Sequence, residues 1–313
     1  MPLCLVTGGA GFVGGHLVEA LVRRGDRVRV LDNFYTGRKQ NLAAVADRVE
    51  LIEADITDAA AVAKAIAGVD IVFHEAAIAS VPRSVAAPLD THAACATGTL
   101  VMLDAARQAG VKRFVYAASS SAYGDQPTPL KRETDLPMPL SPYAAAKLAG
   151  EHYCHAYYHT YGLPTVCLRY FNVYGPRQDP RGPYAAVIPI FIELLLQGKS
   201  PTIYGDGLQT RDFTFVEDVV QANLKAAEAS VGGVTVNVGN GLRTSLLDLL
   251  NELNRLLGTS VSPNFQPSRA GDVRDSLADI SNARSLLGYE PQFSLAQGLE
   301  RTVAYYKSQA VGH

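Results

Sequence analysis

The chain has 313 residues, 48% of them hydrophobic and 19% charged, and its 28 basic residues nearly cancel its 30 acidic ones, leaving a formal net charge of −2. That length buries a substantial core in one large domain or two modest ones, and the apolar fraction excludes a disordered chain. The balanced charge argues against nucleic acid as the main partner.

Four cysteines, at 4, 95, 154 and 167, form no CxxC pair and no metal-ligand cluster. Neither a disulfide scaffold nor a metal site is therefore expected, and a reducing cytoplasm is. Residues 2–6 run straight into glycines without a basic leader. The longest apolar stretch, 185–196, is interrupted by Pro189 and Glu193 and is too short to span a membrane. The expectation is a soluble, cytoplasmic protein with no membrane partner.

In chain order, residues 3–6 read as a short strand ending in glycines, and 14–24 carry helical spacing through Leu17, Leu21 and Val22. Strands are predicted at 27–31 and 49–52 with a polar loop between them, then a helix at 59–66 and a strand at 71–73. A helix over 91–109, a strand at 114–117, a helix over 144–161 and a strand at 165–168 complete the series. Short strands alternating with longer helices specify βαβ units, and so an α/β fold with a Rossmann-type doubly wound parallel sheet. After about residue 171 the alternation stops. Gly, Pro and Asp cluster at 174–183 and 204–211, and helices are predicted at 188–197, 217–228, 246–257 and 294–308. This reads as a smaller α/β C-terminal lobe interleaved with the first.

Gly8, Gly11 and Gly14 fall where the first strand hands over to the first helix. Glycine there permits a sharp turn, lets backbone approach a pyrophosphate and allows helix to pack closely on strand. The helix N-terminus then offers free N–H groups to phosphate. A glycine-rich turn alone is also compatible with a plain tight turn; Asp32, at the end of the second strand, adds the context of a dinucleotide site. Its carboxylate suits ribose hydroxyls and repels a 2′-phosphate, which favours NAD, whereas Arg38 and Lys39 just downstream are what an NADP reading would use. Asp55, after the third strand, is placed either to meet adenine or to cap a helix.

Further on, Ser119, Ser120 and Ser121 follow the strand at 114–117, on the sheet edge where ligands bind in open α/β folds. Tyr143 and Lys147 are four apart, so both share one face of the predicted helix.

With these motifs the chain resembles an extended short-chain dehydrogenase/reductase, and within that family the UDP-glucose and UDP-N-acetylglucosamine 4-epimerases. The segments that carry the resemblance are TGGAGFVGGHL (7–17), LDNFYTG (31–37), HEAAIASVPRS (74–84), ASSSAYGD (118–125), SPYAAAK (141–147) and LRYFNVYGPRQ (168–178). Two more, YGDGLQTRDFTFVEDV (204–219) and GDVRDSLADISNARSLLGYEP (271–291), extend it over nearly the whole length.

The resemblance implies NAD as cofactor. It would be held by Gly8, Gly11, Phe12, Val13 and Gly14, by Asp32, Asn33, Thr36 and Gly37, and by Asp55, Ile56, Ala76, Ala77, Tyr143, Lys147 and Phe171. Tyr143 would be the acid/base, Lys147 its partner and the holder of the nicotinamide ribose, and Ser119, with Ser120 and Ser121 beside it, the group bonding the sugar's C4 hydroxyl. Lys147 and a cationic nicotinamide are expected to draw the phenol from its usual pKa of ~10 toward neutrality. In the second lobe Asn172 matches a position that meets the diphosphate or sugar, and Val187, Thr202, Ile203 and Tyr204 match the walls around uracil. Arg211 and Arg269 match arginines that grip the pyrophosphate, a task suited to a planar guanidinium. Asp272 would bind a uridine ribose hydroxyl.

The activity implied is inversion at C4 of a UDP-hexose: hydride leaves C4, the 4-keto sugar turns over, and hydride returns to its other face. The 4,6-dehydratases resemble Thr-Asp-Glu at the serine turn, and this chain has three serines and no carboxylate there. Ser276 matches a gate beside the C2 substituent, and its small side chain predicts that N-acetylated sugars fit. A UDP-glucuronate epimerase, with Arg181 or Arg274 as carboxylate partner, is the alternative, followed by a dehydratase or reductase and by a non-catalytic NAD-sensing protein. The resemblance also implies a homodimer through the helices at 91–109 and 144–161. It divides the chain into an NAD-binding domain, 1–172 with 212–240 returning to it, and a UDP-sugar-binding lobe, 173–313. Two residues depart from the pattern: Cys95 stands where Asn is usual, and Glu75 where the family is more often neutral or apolar.

Overall fold

Seven parallel strands form the centre of the molecule: β1 (Leu3–Thr7), β2 (Arg27–Asp32), β3 (Val49–Glu53), β4 (Ile71–His74), β5 (Arg113–Ser119), β6 (Thr165–Tyr170) and β7 (Val234–Val238). The computed structural model describes residues 1–180, 185–268 and 274–311. The sheet order is β7-β6-β5-β4-β1-β2-β3, so the winding reverses between β1 and β4. A crevice opens outside the carboxyl ends of the strands at such a reversal. Every residue of β1 is buried, as expected of a strand covered on both faces.

The covering helices are α1 (Phe12–Arg24), α2 (Ala59–Ala65), α3 (Gly98–Gln108) and α4 (Pro142–Tyr161), followed by α5 (Val187–Leu196), α6 (Val216–Glu228), α7 (Leu246–Leu257) and α8 (Leu295–Val311). One core lies between the sheet and α1 and α6, with Leu17, Leu21, Val219 and Ala222 among its members. The other holds Val62, Met102, Leu103 and Cys154 from the helices on the opposite face. Both ends of α1 follow from sequence: Arg23 and Arg24 complement the negative helix end, and Gly25 closes it in the left-handed conformation at φ 94°. Ser141 caps α4 by accepting from the N–H of Ala144, and Pro142 occupies its first turn.

Three local features differ from the sequence reading. The helix expected over 91–109 is a short helix, Pro88–His92, a wide π turn, Ala93–Thr97, and then α3. The polar loop after β2 contains a 3-10 segment, Lys39–Arg48, anchored in the core by Leu42 and Val45. β7, to which no strand was assigned, adds to the sheet edge beside β6.

In the second lobe, α5, α7 and α8 pack Phe191, Leu249, Leu253 and Leu299 around Tyr174 and Phe215. Its strands are short. Leu130–Lys131, Thr210–Arg211, Thr244–Ser245 and Asp275–Ala278 make one small sheet, and Thr202–Tyr204 pairs with Asn264–Gln266. Among the described residues no helix is long and apolar enough to cross a membrane.

Candidate active site

A cavity of about 690 Å³ occupies the crevice between β1 and β4. One wall is the turn after β1. A Cβ on Gly14 would stand 2.2 Å from the carbonyl oxygen of Gly8, and one on Gly8 would stand 2.8 Å from the backbone of Ala76, so both positions require glycine. The amide of Gly11 donates to Gly8 O at 2.9 Å and closes the turn. α1 then begins with no side-chain cap on its first N–H groups and no acid in its first turn. Those donors and the positive helix end are what a pyrophosphate needs.

Asp32 lies at the end of β2, buried, accepting from the amides of Ala10 at 2.9 Å and Phe34 at 2.8 Å. Burial raises its pKa, and the two amides work in the opposite direction. Gly37 does not line the cavity; a Cβ there would meet the Asp32 carboxylate at 2.8 Å, so its bare backbone leaves that carboxylate its place. Arg38 pairs with Asp179, and Lys39 with Glu53 at 3.0 Å, so both cations have carboxylate partners beside the Asp32 site. Asn33, Thr36, Asp55 and Ile56 continue the wall. Asp55 accepts from Thr57 and Asn33, and the cap of α2 is Asp58.

At the other end stand Ala76, Ala77, Tyr143 and Lys147. Tyr116 on β5 fixes α4 from below: its hydroxyl donates to Lys147 O at 3.0 Å, and the Lys147 ammonium lies 4.4 Å from its ring centroid. Gly150 is required there, because a Cβ would meet the Tyr116 hydroxyl at 2.3 Å. A buried ion pair ties α4 to β6, with Arg169 donating to Glu151 at 2.9 and 2.6 Å. Ser119, at the end of β5, works to lower the Tyr143 pKa, and its oxygen is 2.8 Å from that of Ser121.

Burial dominates the proton affinities here. Burial pushes the Tyr143 phenol above its ordinary value, opposed by Ser119 and reinforced by Cys95 and Glu75. The Lys147 ammonium is pulled down by burial. The protein's own groups therefore hold the phenol protonated, with desolvation the largest influence.

Among the described residues, those predicted in the second lobe to bind the sugar nucleotide, Asn172, Val187, Thr202, Ile203, Tyr204, Arg211 and Ser276, do not line this cavity. Arg211 and Ser276 are brought side by side by strand register. The Arg211 guanidinium is braced on the carbonyls of Thr210 and Arg274 at 2.8 and 3.0 Å. Asn172, at φ 31°, donates to Asp212 O at 3.1 Å. Thr202 is exposed, Tyr204 half-buried, and Val187 starts α5. Two side chains do not face a ligand. Ile203 is buried in the lobe's core, and the Phe171 ring is buried against Tyr123, Ala278 and Ile280, because both belong to apolar clusters that close the lobe. Arg274 pairs with Asp206 at 3.0 Å. Arg181, Arg269 and Asp272 lie outside the described residues.

Several wall residues were not found by sequence reasoning. Arg83 stacks on Tyr35 across the mouth, 4.4 Å from its centroid. Arg177, at φ 70°, donates to Glu19 at 2.6 Å and to Asn41 O at 2.9 Å, joining the second lobe to α1. A positive φ at arginine has no sequence signal, and these pairs are far apart in the chain.

The model of the NAD dependent epimerase/dehydratase family matches residues 4–239. A UDP-glucose 4-epimerase of Mycolicibacterium smegmatis is 41% identical, over 98% of this chain and 99% of that one. The solved UDP-N-acetylglucosamine 4-epimerase of Methanobrevibacter ruminantium, in complex with UDP-N-acetylmuramic acid, superposes with a TM-score of 0.95 at 38% identity, covering 98% and 99% of the two chains. The UDP-glucose 4-epimerase of Thermus thermophilus in complex with NAD does so with a TM-score of 0.89 at 38% identity, covering 97% and 99%. A family match over residues 4–239 and relatives this similar over nearly the whole length show that the chain belongs to the NAD-dependent epimerase/dehydratase family.

Proposed function

We propose that the protein is an NAD-dependent 4-epimerase of UDP-hexoses that accepts UDP-GlcNAc and UDP-GalNAc, with UDP-Glc and UDP-Gal as the second pair. The observation that carries this reading is the pairing of Tyr143 and Lys147 on one helix at one end of the dinucleotide cavity, near a serine turn that holds no carboxylate. Elimination of water would need a further acid and base, and inversion needs neither.

The glycine turn and the α1 N-terminus would hold the pyrophosphate, and Asp32 the adenosine ribose. NAD, when bound, would supply a hydride acceptor for C4 and a positive charge that favours the phenolate. Tyr143 takes the proton of the 4-hydroxyl at its phenol oxygen and returns it to the epimer. Ser119, oriented by Ser121, bonds the same hydroxyl and keeps it in line with Tyr143. Lys147, held by Tyr116, keeps positive charge beside the phenol one helical turn away. Arg211 and Asn172 would bind the diphosphate, with Arg269 and Asp272 completing the uridine side. Ser276, beside Arg211, would leave room for an N-acetyl group.

The proposal includes the division into a cofactor domain, 1–172 with 212–240, and a sugar lobe, 173–313. It also includes a cytoplasmic homodimer through the 91–109 and 144–161 helices, beside which Val85, Leu89, Tyr153 and Tyr161 are exposed. Sedimentation at micromolar concentration tests the dimer.

The deciding experiment incubates purified protein with UDP-Glc, UDP-GlcNAc or UDP-GlcA without added NAD and resolves the products. Interconversion of the N-acetylated pair is expected. Tyr143→Phe should lower turnover by roughly 10²–10⁴-fold while the protein keeps its cofactor. Undiminished turnover in that variant would sink the mechanism.

A further inference from the structure

Glu75 is the one acidic side chain among the cavity's lining residues that is close enough to Lys147 and Tyr143 for each to affect the other. It follows β4, and its backbone is pinned: its amide donates to Thr7 O at 3.2 Å, and the next peptide lies directly against Gly8. The side chain is held as well. Tyr170, at the end of β6, donates its hydroxyl to Glu75 Oε1 at 2.8 Å. That hydroxyl accepts from Asn223 Nδ2 at 2.7 Å, and the same Nδ2 donates to Val219 O at 2.9 Å. The amide nitrogen of Asn223 thus obliges Tyr170 to point its proton at Glu75, so the chain of bonds is ordered to serve an acceptor. A carboxylate and a neutral carbonyl oxygen both meet that requirement, so the bonds fix where the side chain sits and the surrounding groups set its charge.

The charges around Glu75 come from three elements. Lys147 and Tyr143 face it from α4, and Tyr170 from β6. Cys95, in the π turn, is buried beside Ala146 and adds its influence to Tyr143 and Lys147. On its own strand, His74 is engaged with Thr7 and Thr99. Among the described residues, Lys147 is the cation that acts on Glu75. A cavity holding Lys147 as ammonium together with an oxidised nicotinamide, itself cationic, would carry two like charges in a partly desolvated space.

We propose that Glu75 is the counter-charge of this pocket: its carboxylate offsets the Lys147 ammonium, so that the cavity retains the cationic, oxidised form of the cofactor in preference to the neutral, reduced form. This is a positioning role, exerted through charge, and it rests on the reading of the cavity as the NAD site. An enzyme that regenerates its cofactor within each turnover needs the oxidised form as its resting state, and a fixed negative charge biases the equilibrium that way. The bias depends on pH. Burial, opposed by Tyr170 and Lys147, raises the Glu75 carboxyl to about 7, so the carboxylate takes up a proton as the pH falls below neutrality and the preference fades.

The test is a redox titration of the cofactor bound to the full-length holoenzyme, followed by the near-ultraviolet absorbance of the reduced ring. Glu75→Gln keeps the size of the side chain and an oxygen to accept from Tyr170. At about pH 8.5 it should move the bound cofactor about tenfold toward the reduced form, about 30 mV for a two-electron couple. The gap between wild type and variant should narrow as the pH is lowered toward about 6. Tyr170→Phe, which keeps the charge and removes the donor, should retain the wild-type preference at the higher pH and lose it at a less acidic pH than wild type. A potential in Glu75→Gln within twofold of wild type, or a Tyr170→Phe potential equal to that of Glu75→Gln at the higher pH, overturns the inference alone. Wild-type protein that holds neither form of the cofactor overturns the reading of the cavity as well.

Discussion

In the first lobe Gly8, Asp32 and Glu75 sit at the carboxyl ends of strands in one parallel sheet, so the sheet itself delivers them to a common crevice, and Ser119 ends the next strand, β5. In the second lobe Arg211 and Ser276 meet only because two very short strands pair in register across 65 residues of chain, and Asn172 is steadied by the carbonyl of Asp212. The first site is a property of backbone: a turn that admits no Cβ, a helix end without a cap, a carboxylate fixed by amides. The second is a property of side chains braced on carbonyls. Cofactor binding should therefore fail abruptly under small backbone changes, and sugar recognition should change by degrees.

The largest effect tests the backbone side. Gly14→Ala puts a methyl group 2.2 Å from a carbonyl oxygen that no rotamer change can move. Its cost should exceed the roughly 1–3 kcal/mol of ordinary core overpacking, and the purified variant should lack cofactor. A Gly14→Ala protein with full cofactor content would show that the turn does not approach the ligand. The side-chain lobe should respond more mildly. Ser276→Tyr is expected to slow the N-acetylated substrates by roughly 10–200-fold relative to UDP-Glc, with cofactor content unchanged. An unaltered UDP-GlcNAc rate would place the gate elsewhere.

The smallest effect concerns the joint beneath the cofactor site, where His74 bridges Thr7 on β1 to Thr99 on α3 at 2.8 and 3.0 Å. Burial lowers its pKa from 6.5 to about 3, so the native protein keeps it neutral while the unfolded chain protonates. A depressed histidine contributes stability above its unfolded pKa, and that contribution is lost as the pH falls toward the folded value. The melting temperature should drop between about pH 6.5 and about pH 4, and His74→Gln should flatten that slope. An identical slope in the variant would assign the acid sensitivity to other groups, His16 among them.

The legible part of the site was the part written locally. Gly8, Gly11 and Gly14 are three apart, and Tyr143 and Lys147 share a face by helical period, so spacing alone placed them. β7 escaped because its partner, β6, lies about 70 residues earlier in the chain. The π turn at Ala93–Thr97 escaped because its apolar run is as good a helix in sequence as the helices on either side. Arg177 escaped because its role depends on a left-handed backbone that arginine rarely adopts.

Composition, strand-helix alternation and motif spacing determined by themselves a doubly wound sheet, a dinucleotide turn and a tyrosine-lysine face, because each is fixed by residues within a few positions of one another. Only the tertiary structure decided that Phe171 and Ile203 turn into the core and that Tyr116 buttresses Lys147. It also decided that Tyr170 and Asn223 aim a proton at Glu75, and that burial raises the proton affinity of Tyr143. Those outcomes depend on which groups lose water and which meet across long stretches of chain, and both are set when distant elements pack.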